Sequence, residues 1–80
     1  MPFFVYILLC EDGSYYTGST KDVDERAKLH LNGRGARYTK SHPPKKIVHV
    51  EEFASRSEAM KRERAIKKLN HKQKNDLCRL

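Results

Sequence analysis

The longest apolar stretch of the chain is at its N-terminus, where residues 3–10 (FFVYILLC) carry apolar or aromatic side chains on both alternating faces. A turn signal with Asp12 and Gly13 follows, and then a run rich in tyrosine and threonine, residues 15–20 (YYTGST). Two β-prone runs separated by a short Asp-Gly turn predict a β-hairpin. Because both faces of the first run are apolar, we expect its strand to lie at the centre of a sheet, covered on both sides.

The length of the hairpin loop decides which side chains share a face, since a shift of one residue moves every side chain of a strand to the other face. A two-residue loop would put Tyr6 and Tyr16 on opposite faces. A three-residue loop, residues 11–13 with Gly13 in the left-handed region, would pair Tyr6 with Gly18 and put both phenols on one face. We favour this second register, because it places glycine where φ must be positive and leaves room for the Tyr6 ring.

The segment after the hairpin predicts a helix over about residues 22–32. Asp22 has the position of an N-cap, acidic residues occupy the first turn, where the helix dipole favours them, and an Asn-Gly pair ends the pattern. Arg26 and His30 are four residues apart, so both should lie on one flank of the helix, from which they could reach into a cleft. The expected apolar stripe consists of Val23, Ala27 and Leu31.

A third strand and two helices complete the pattern. Residues 45–53 alternate in polarity and predict a strand, whose weaker apolar content suggests an edge position. Ser55 is followed by an acidic residue at capping-box spacing, which predicts a helix over about residues 55–69, and Asn70 can cap a last helix over about 71–79. The core residues expected from these helices are Ala59, Met60, Ile66, Leu69, Leu77 and Leu80.

An acidic residue interrupts the apolar stripe of the longer helix. Glu63 follows Ala59 by four residues and precedes Ile66 by three, so it shares their face, whereas the opposite face is basic. A carboxylate in an apolar stripe is costly unless a cation or a metal ion meets it. Glu63 therefore either has a functional role, or forms an ion pair with Lys67, four residues on, or lies at the rim of the core, and the pattern favours neither a functional nor a structural role.

Composition and charge narrow the class of protein. With 80 residues the chain suits one small domain, which can bury only about 60% of the surface of its unfolded form. The formal net charge is +7, and all 17 lysines and arginines lie in residues 21–80, after the hairpin. Such a balance is typical of proteins that bind nucleic acid, although a solvated, solubilising surface explains the charge equally well.

The cysteines and the apolar runs bear on the cellular compartment. Cys10 and Cys78 make no disulfide framework, and the histidine and cysteine spacings match no zinc pattern. We therefore expect two buried, reduced thiols in a cytosolic protein. No basic and apolar leader opens the sequence, and no apolar run approaches about 18 residues, so neither export nor a membrane span is expected.

Residues 33–44 have no periodicity and predict a loop rich in cations. Its basic side chains could bind phosphates and its tyrosine could stack on a base, whereas a plain exposed loop is the alternative. The candidate nucleic-acid contacts in this loop are Arg34, Arg37, Tyr38 and Lys40.

Five side chains distributed along the chain suit phosphodiester hydrolysis, namely Tyr6, Tyr16, Arg26, His30 and Glu63. A divalent ion held by one carboxylate and several waters would polarise the phosphate, and the arginine would bind the transition state. A phenol with an unperturbed pKa of about 10 is a poor base at neutral pH, so it needs a neighbouring cation or the histidine to act as one.

These residues resemble the motifs of the GIY-YIG endonuclease superfamily, in particular its small stand-alone, single-domain branch of bacterial proteins. The first tyrosine motif corresponds to residues 4–6 (FVY) and the second to residues 16–18 (YTG), with Phe4 and Thr17 in place of the family's glycine and isoleucine. The other matching segments are Arg26 and His30 of the helix signature, the loop at 33–39, and the helix at 58–67 that carries the family's metal-binding glutamate.

The resemblance implies one α+β domain over the whole chain, residues 1–80, with a three-stranded antiparallel sheet flanked by helices and a site for one Mg²⁺ or Mn²⁺ ion. The roles that it implies are metal binding for Glu63, transition-state stabilisation for Arg26, assistance for His30, and water activation or phosphate positioning for Tyr6 and Tyr16. The sequence leaves open which tyrosine is the general base.

The resulting hypothesis is a cytoplasmic, monomeric, metal-dependent endonuclease acting on DNA, with structured or single-stranded DNA and RNA as further substrates to test. Arg62 and Lys67, from the basic face of the longer helix, join the candidate nucleic-acid contacts. Nuclease relatives usually carry a further recognition domain, so a protein partner could supply specificity. The alternative is a non-catalytic module that binds nucleic acid in the same cleft, and a third option is a structural interaction protein whose glutamate and tyrosines hydrogen-bond each other.

Overall fold

The computed structural model describes residues 2–32 and 41–78. In chain order the elements are β1 (Phe3–Cys10), β2 (Tyr15–Thr20), α1 (Val23–Leu31), β3 (Pro44–Phe53), α2 (Arg56–Lys67) and α3 (His71–Leu77). The strands form one antiparallel sheet in the order β2-β1-β3. The predicted α+β fold, with β1 at the centre and β3 at an edge, is therefore confirmed. The predictions for Arg34, Arg37, Tyr38, Lys40 and Leu80 concern positions outside the described residues.

The hairpin has the three-residue loop favoured from the sequence. Tyr6 is paired with Gly18, and the backbone N–H of Cys10 donates to the carbonyl of Ser14 at 2.8 Å. Gly13 has φ of 85°, in the region where a side chain would strain the backbone. Directly opposed residues of an antiparallel pair project to the same face, so this register places Tyr6 and Tyr16 on the same side of the sheet.

The main core lies between the sheet and α2. Val5 and Ile7 of β1 pack with Ala59 and Ile66 of α2, and all four side chains are fully buried. Side chains around this cluster are partly buried and complete the core: Phe3, Tyr15, Val48, Phe53, Leu77 and Cys78. Tyr6 and Leu8 alternate with Val5 and Ile7 along β1, so they face the opposite side of the sheet, towards α1.

Each helix begins at the N-cap that its sequence predicts. Asp22 accepts a hydrogen bond from the N–H of Glu25 at the start of α1, and Ser55 caps α2 in the same way. Asn70 and Gln73 form a full capping box at the start of α3. Because these side chains satisfy N–H groups that the helices leave free, the helix boundaries follow from local sequence.

One expectation for α1 is wrong. Leu31, which the apolar stripe assigned to the core, is 65% exposed, whereas His30 is only 1% exposed. His30 occupies the inward position because its ring has a hydrogen-bond partner there, the hydroxyl of Tyr6. Hydrophobic periodicity cannot detect a buried histidine whose partner comes from another element.

Both cysteines are free thiols, as the sequence predicts; Cys10 is buried and Cys78 is partly buried. None of the helices in residues 2–32 and 41–78 combines the length and the apolar character that crossing a bilayer requires.

Candidate active site

Tyr6 projects from the middle of β1 and leans across the neighbouring strand β2. A Cβ atom added to Gly18 would lie only 2.5 Å from the Tyr6 hydroxyl oxygen and 2.8 Å from its Cζ. Real Cβ atoms do not approach other atoms so closely, so Tyr6 can adopt this position only because residue 18 has no side chain. β2 is an edge strand, so the hydroxyl of Tyr6 is carried towards an open edge of the sheet.

Tyr6, Tyr16 and His30 form one cluster between the sheet and α1. The ring centroids are 6.3 Å apart for the two tyrosines, 5.8 Å for Tyr6 and His30, and 5.1 Å for Tyr16 and His30. The hydroxyl of Tyr6 and the Nε2 of His30 are hydrogen-bonded at 2.9 Å. Tyr6 and His30 are buried and Tyr16 is half-buried, so the cluster meets solvent on the Tyr16 side.

The environment of this cluster keeps Tyr6 and His30 uncharged. Burial raises the pKa of Tyr6 strongly, Tyr16 and Glu63 raise it further, and Arg26 opposes these effects. Burial lowers the pKa of His30, and the charge of Arg26 lowers it further. The hydrogen bond between the two side chains therefore joins a neutral phenol to a neutral imidazole at neutral pH.

Glu63 reaches the site from α2. The Glu63 side chain is 19% exposed, and Lys67 Nζ lies 2.8 Å from Glu63 Oε2, so the ion pair considered from the sequence is present. Burial raises the pKa of Glu63, but hydrogen bonds from Lys67 and Ser19 and the charges of Lys67 and Arg64 outweigh it, and the net pKa is below the ordinary value. Glu63 is therefore an ionised carboxylate that pairs with Lys67 and lies near Ser19 of β2.

The carboxylate and the phenols approach one another around the edge of the sheet. Ser19 is paired with Val5, so it faces α2, whereas Gly18 is paired with Tyr6 on the α1 side. The Tyr6 hydroxyl lies over Gly18, and the next residue of the same edge strand, Ser19, lowers the pKa of the Glu63 carboxylate. The effect of Glu63 on the pKa of Tyr6 follows from this approach.

Arg62 is held on the opposite flank of α2. Its Nε and Nη2 donate to the two carboxylate oxygens of Glu51 in β3 at 2.8 and 3.1 Å, and His49 Nε2 is 2.6 Å from Glu51 Oε2. This two-point geometry is the strongest form of an arginine–carboxylate pair. Arg62, a candidate nucleic-acid contact, is thus engaged with β3, and consecutive residues of α2 are fixed to the two outer strands of the sheet.

Arg26 lies at a groove that opens beside the cluster. The groove has a volume of about 460 Å³ and runs between the start of α1 and the start of α2. Ser19 also lines it, which the sequence reasoning missed, although the predicted register already places Ser19 on the face that α2 covers. The complete lining is Phe3, Ser19, Thr20, Lys21, Asp22, Glu25, Arg26, Leu29, Arg56 and Met60.

The donor set at Glu63 fits a hard divalent ion held mainly by water. Residues 2–32 and 41–78 contain no group of three or more histidine, cysteine, aspartate or glutamate side chains that could enclose a metal. Mg²⁺ characteristically keeps several waters and binds one or two carboxylates together with substrate phosphates. One half-buried, ionised carboxylate next to an open groove suits such an ion, whereas it does not suit a metal with an all-protein coordination shell.

Among the candidate site residues, the structure brings Tyr6, Tyr16 and His30 into direct contact. Arg26 and Glu63 are close enough for their charges to alter the pKa of Tyr6. The remaining described candidates lie on α2, where Lys67 pairs with Glu63 and Arg62 pairs with Glu51.

Comparison with protein families identifies a match over almost the whole chain. Residues 2–76 match the family model of the GIY-YIG catalytic domain. The UPF0213 protein BH0048 of Halalkalibacterium halodurans is 46% identical over 80 residues, which cover 100% of this chain and 85% of the relative. The UPF0213 protein SERP0126 of Staphylococcus epidermidis is 51% identical over 71 residues, covering 89% of this chain and 87% of the relative.

Two solved structures are similar to the chain. The solution NMR structure of the UPF0213 protein BH0048 from Bacillus halodurans has a TM-score of 0.61 and 47% identity, and the match covers 96% of this chain and 82% of that one. The solution NMR structure of the protein EF2693 from E. faecalis has a TM-score of 0.65 and 44% identity, with the same coverage. Both likenesses agree with the sheet and helices described above.

Proposed function

Because the chain belongs to the GIY-YIG family, we propose that it is a metal-dependent endonuclease that hydrolyses phosphodiester bonds in DNA. The observation that carries the proposal is the buried hydrogen bond between Tyr6 and His30, which is in electrostatic reach of Arg26 and, through Tyr6, of Glu63. A phenol, an imidazole, a guanidinium and a carboxylate are brought together here from three different elements, β1, α1 and α2. Together they supply the groups that phosphodiester hydrolysis needs.

In this mechanism Tyr6 accepts a proton from the attacking water while its own proton passes to Nε2 of His30. The raised pKa of Tyr6 disfavours a free phenolate, so a relay through the neutral phenol is more favourable than a preformed charged base. His30 suits the receiving role because burial and Arg26 keep it neutral before the reaction. Tyr16, at the exposed side of the cluster, would position the phosphate.

Two charged residues complete the proposed mechanism. Arg26 would bind the phosphate oxygens as negative charge develops, a role for which its planar, permanently charged guanidinium is suited. Glu63 would hold Mg²⁺ or Mn²⁺, which when bound polarises the phosphate and stabilises the leaving oxygen. Lys67 would have to release one carboxylate oxygen of Glu63, or share it, and its 52% exposed side chain is free to swing towards solvent.

The test is Glu63→Gln, compared with wild type on labelled DNA duplexes, single strands and flaps in the presence of Mn²⁺. We expect cleavage to fall by at least about 100-fold, because loss of metal-based charge stabilisation amounts to several kcal/mol. Glu58→Gln is the matched control, since Glu58 is an exposed residue of the same helix. Wild-type protein that cuts no nucleic acid, or a Glu63→Gln variant that cuts normally, would rule out hydrolysis.

One observation favours a second candidate, a non-catalytic module that binds nucleic acid in the same cleft. Lys67 neutralises Glu63 in the structure, so the carboxylate has a partner without any metal ion. A binding module would show affinity for nucleic acid that falls steeply with salt and is unchanged by Mg²⁺ or Mn²⁺. Affinity that rises with the divalent ion would favour the nuclease.

We further propose that the protein is a cytoplasmic monomer whose partner is nucleic acid. The net charge of +7 and the two free cysteines support this assignment, because reduced thiols are the rule in the cytosol. A protein partner that adds sequence specificity is compatible with this proposal.

A further inference from the structure

The groove beside Arg26 extends the proposed site in one direction. Its wall includes Ser19, which lowers the pKa of Glu63, and Arg26, whose charge acts on Tyr6 and His30. Of the groups proposed to act on the phosphate, Arg26 lines the groove, whereas Tyr6, Tyr16, His30 and Glu63 lie outside its lining. A polymer with one phosphate at Arg26 would have the attached nucleotide at the groove.

The lining combines apolar surface with two guanidinium groups. Phe3, Leu29 and Met60 are only partly buried, so they present apolar surface to the groove. Arg26 comes from α1 and Arg56 from the first turn of α2, and both are exposed. Apolar or aromatic contacts for a base together with cations for phosphates are the features of a site for single-stranded nucleic acid.

Two carboxylates limit where a phosphate can lie within the groove. Asp22 and Glu25 line its α1 end, and one oxygen of Asp22 is engaged as the cap of that helix. Like charges repel, so phosphates are disfavoured directly beside these two carboxylates, whereas Lys21 and Arg26, which line the same end, attract them. The favoured arrangement has a phosphate at Arg26 and Arg56, with the attached base against Phe3 and Met60.

The size of the groove suits one nucleotide. Its volume of about 460 Å³ is at the lower end of the range for small-molecule sites, and it lies between the starts of two helices and the ends of two strands. Bases in a continuous duplex are stacked and paired, so none can enter a recess of this kind without being extruded, at a cost of a few kcal/mol. An unpaired nucleotide can enter without that cost.

The geometry points to a subsite for one unpaired nucleotide adjacent to the phosphate that is cleaved, so that single-stranded or frayed DNA is preferred to continuous duplex. The position of this subsite next to the cleaved bond rests on the proposed function. The binding of a nucleotide in the subsite does not rest on it, because binding can be measured without cleavage.

The experiment measures the affinity of fluorescently labelled 12-nucleotide single strands and of the matching duplex, in EDTA, over a series of salt concentrations. We expect the single strand to bind about tenfold more tightly, although the duplex carries more charge. Arg56→Gln should weaken single-strand binding about fivefold and lower the slope of log affinity against log salt by about 0.7, the value for one lost phosphate contact. Met60→Gln should weaken it by a similar factor without changing the slope.

Lys72→Gln, which removes the same charge from an exposed position on α3, is the matched control. The inference is overturned if the duplex binds as tightly as the single strand, or if Arg56→Gln and Lys72→Gln behave alike. Absence of cleavage with the expected binding pattern would instead refute only the proposed hydrolysis.

A second measurement uses the wild-type protein and so does not depend on any variant folding. Thymidine 5′-monophosphate is added to isotope-labelled protein, and backbone amide resonances are followed by NMR. Shifts concentrated at Thr20, Leu29 and Met60 are expected. Shifts confined to α3, or no shifts at millimolar nucleotide, would contradict a nucleotide subsite in the groove.

Discussion

The two faces of the sheet are built by alternate residues of the same strands, yet they are used differently. On the α2 face, Val5 and Ile7 pack with Ala59 and Ile66 in a fully buried apolar cluster. On the α1 face, Tyr6, Tyr16 and His30 form a polar aromatic cluster joined by a buried hydrogen bond. Apolar burial is the main stabilising contribution to folding, so the α2 face should carry most of the stability. The α1 face carries the groups to which the proposed function assigns the chemistry.

This division is compatible with a proposed active site in so short a chain. A domain of 80 residues has a small core, and buried polar groups weaken it unless they are paired. On the α2 face, Glu51, Arg62 and Glu63 lie in ion pairs at the flanks of α2, and the apolar cluster occupies its centre. Glu63, which lies on the helix of the apolar face, is at its flank beside the edge strand and does not enter the cluster of Ala59 and Ile66.

Adjacent residues of β1 give the sharpest test of the comparison. Ile7→Ala should lower the free energy of unfolding by about 2–5 kcal/mol, because it leaves a cavity in the buried cluster, and should leave the activity of the folded protein near normal. Tyr6→Phe should lower cleavage by about 100-fold or more, because the relay loses its hydroxyl, while costing about 1–3 kcal/mol of stability, because the buried His30 loses its hydrogen bond to Tyr6. Chemical denaturation and cleavage assays measure the two effects. Equal losses of stability would break the comparison.

Substitutions of the two hairpin glycines, Gly18 and Gly13, separate an effect on the position of Tyr6 from an effect on stability alone. Gly18→Ala should displace the Tyr6 hydroxyl, and a displacement of about 1 Å can lower the rate about 100-fold. Gly13→Ala is the control, since a Cβ at Gly13 meets no atom within 4 Å but must adopt φ of 85°. It should cost about 1–2 kcal/mol of stability and leave cleavage unchanged. An active Gly18→Ala enzyme would show that the position of Tyr6 does not matter.

A smaller effect is expected from pH. The pKa of His30 is lowered in the folded protein by burial and by Arg26, whereas in the unfolded chain it is about 6.5. As pH falls below 6.5, the unfolded chain binds a proton at His30 before the folded protein does, so stability declines until pH reaches the lower, folded pKa. His30→Gln should remove this part of the pH dependence, measured by denaturation at pH 5–8. An identical pH profile for both proteins would mean that His30 is not buried in the neutral form.

Local sequence determined the hairpin and the helix starts. Asp12, Gly13 and Gly18 set the register, because glycine is needed where φ is positive and where Tyr6 crosses β2. Asp22, Ser55 and Asn70 cap the helices through contacts within three residues. Such short-range requirements can be inferred without knowledge of the tertiary structure.

The features that could not be predicted depend on contacts between distant segments. His30 replaces Leu31 in the interior because of a partner 24 residues away, and Arg62 is engaged by a carboxylate on β3. The groove forms where the starts of α1 and α2 lie beside the ends of the strands. Because this arrangement depends on tertiary structure, the sequence did not identify Ser19 and Arg56 as candidates. The chemical roles of the five candidate residues remain predictions that the experiments above address.

Arg62 is paired with Glu51 of β3, and the next residue, Glu63, lies beside β2. These two contacts limit insertions and deletions in the segment of α2 that precedes them. An α-helix turns by about 100° for each residue, so one residue inserted or deleted between the cap at Ser55 and position 62 would swing both side chains away from their strands together. Substitutions along this segment could accumulate while its length could not. We therefore expect the eight-residue distance from Ser55 to Glu63 to be kept wherever this site is functional.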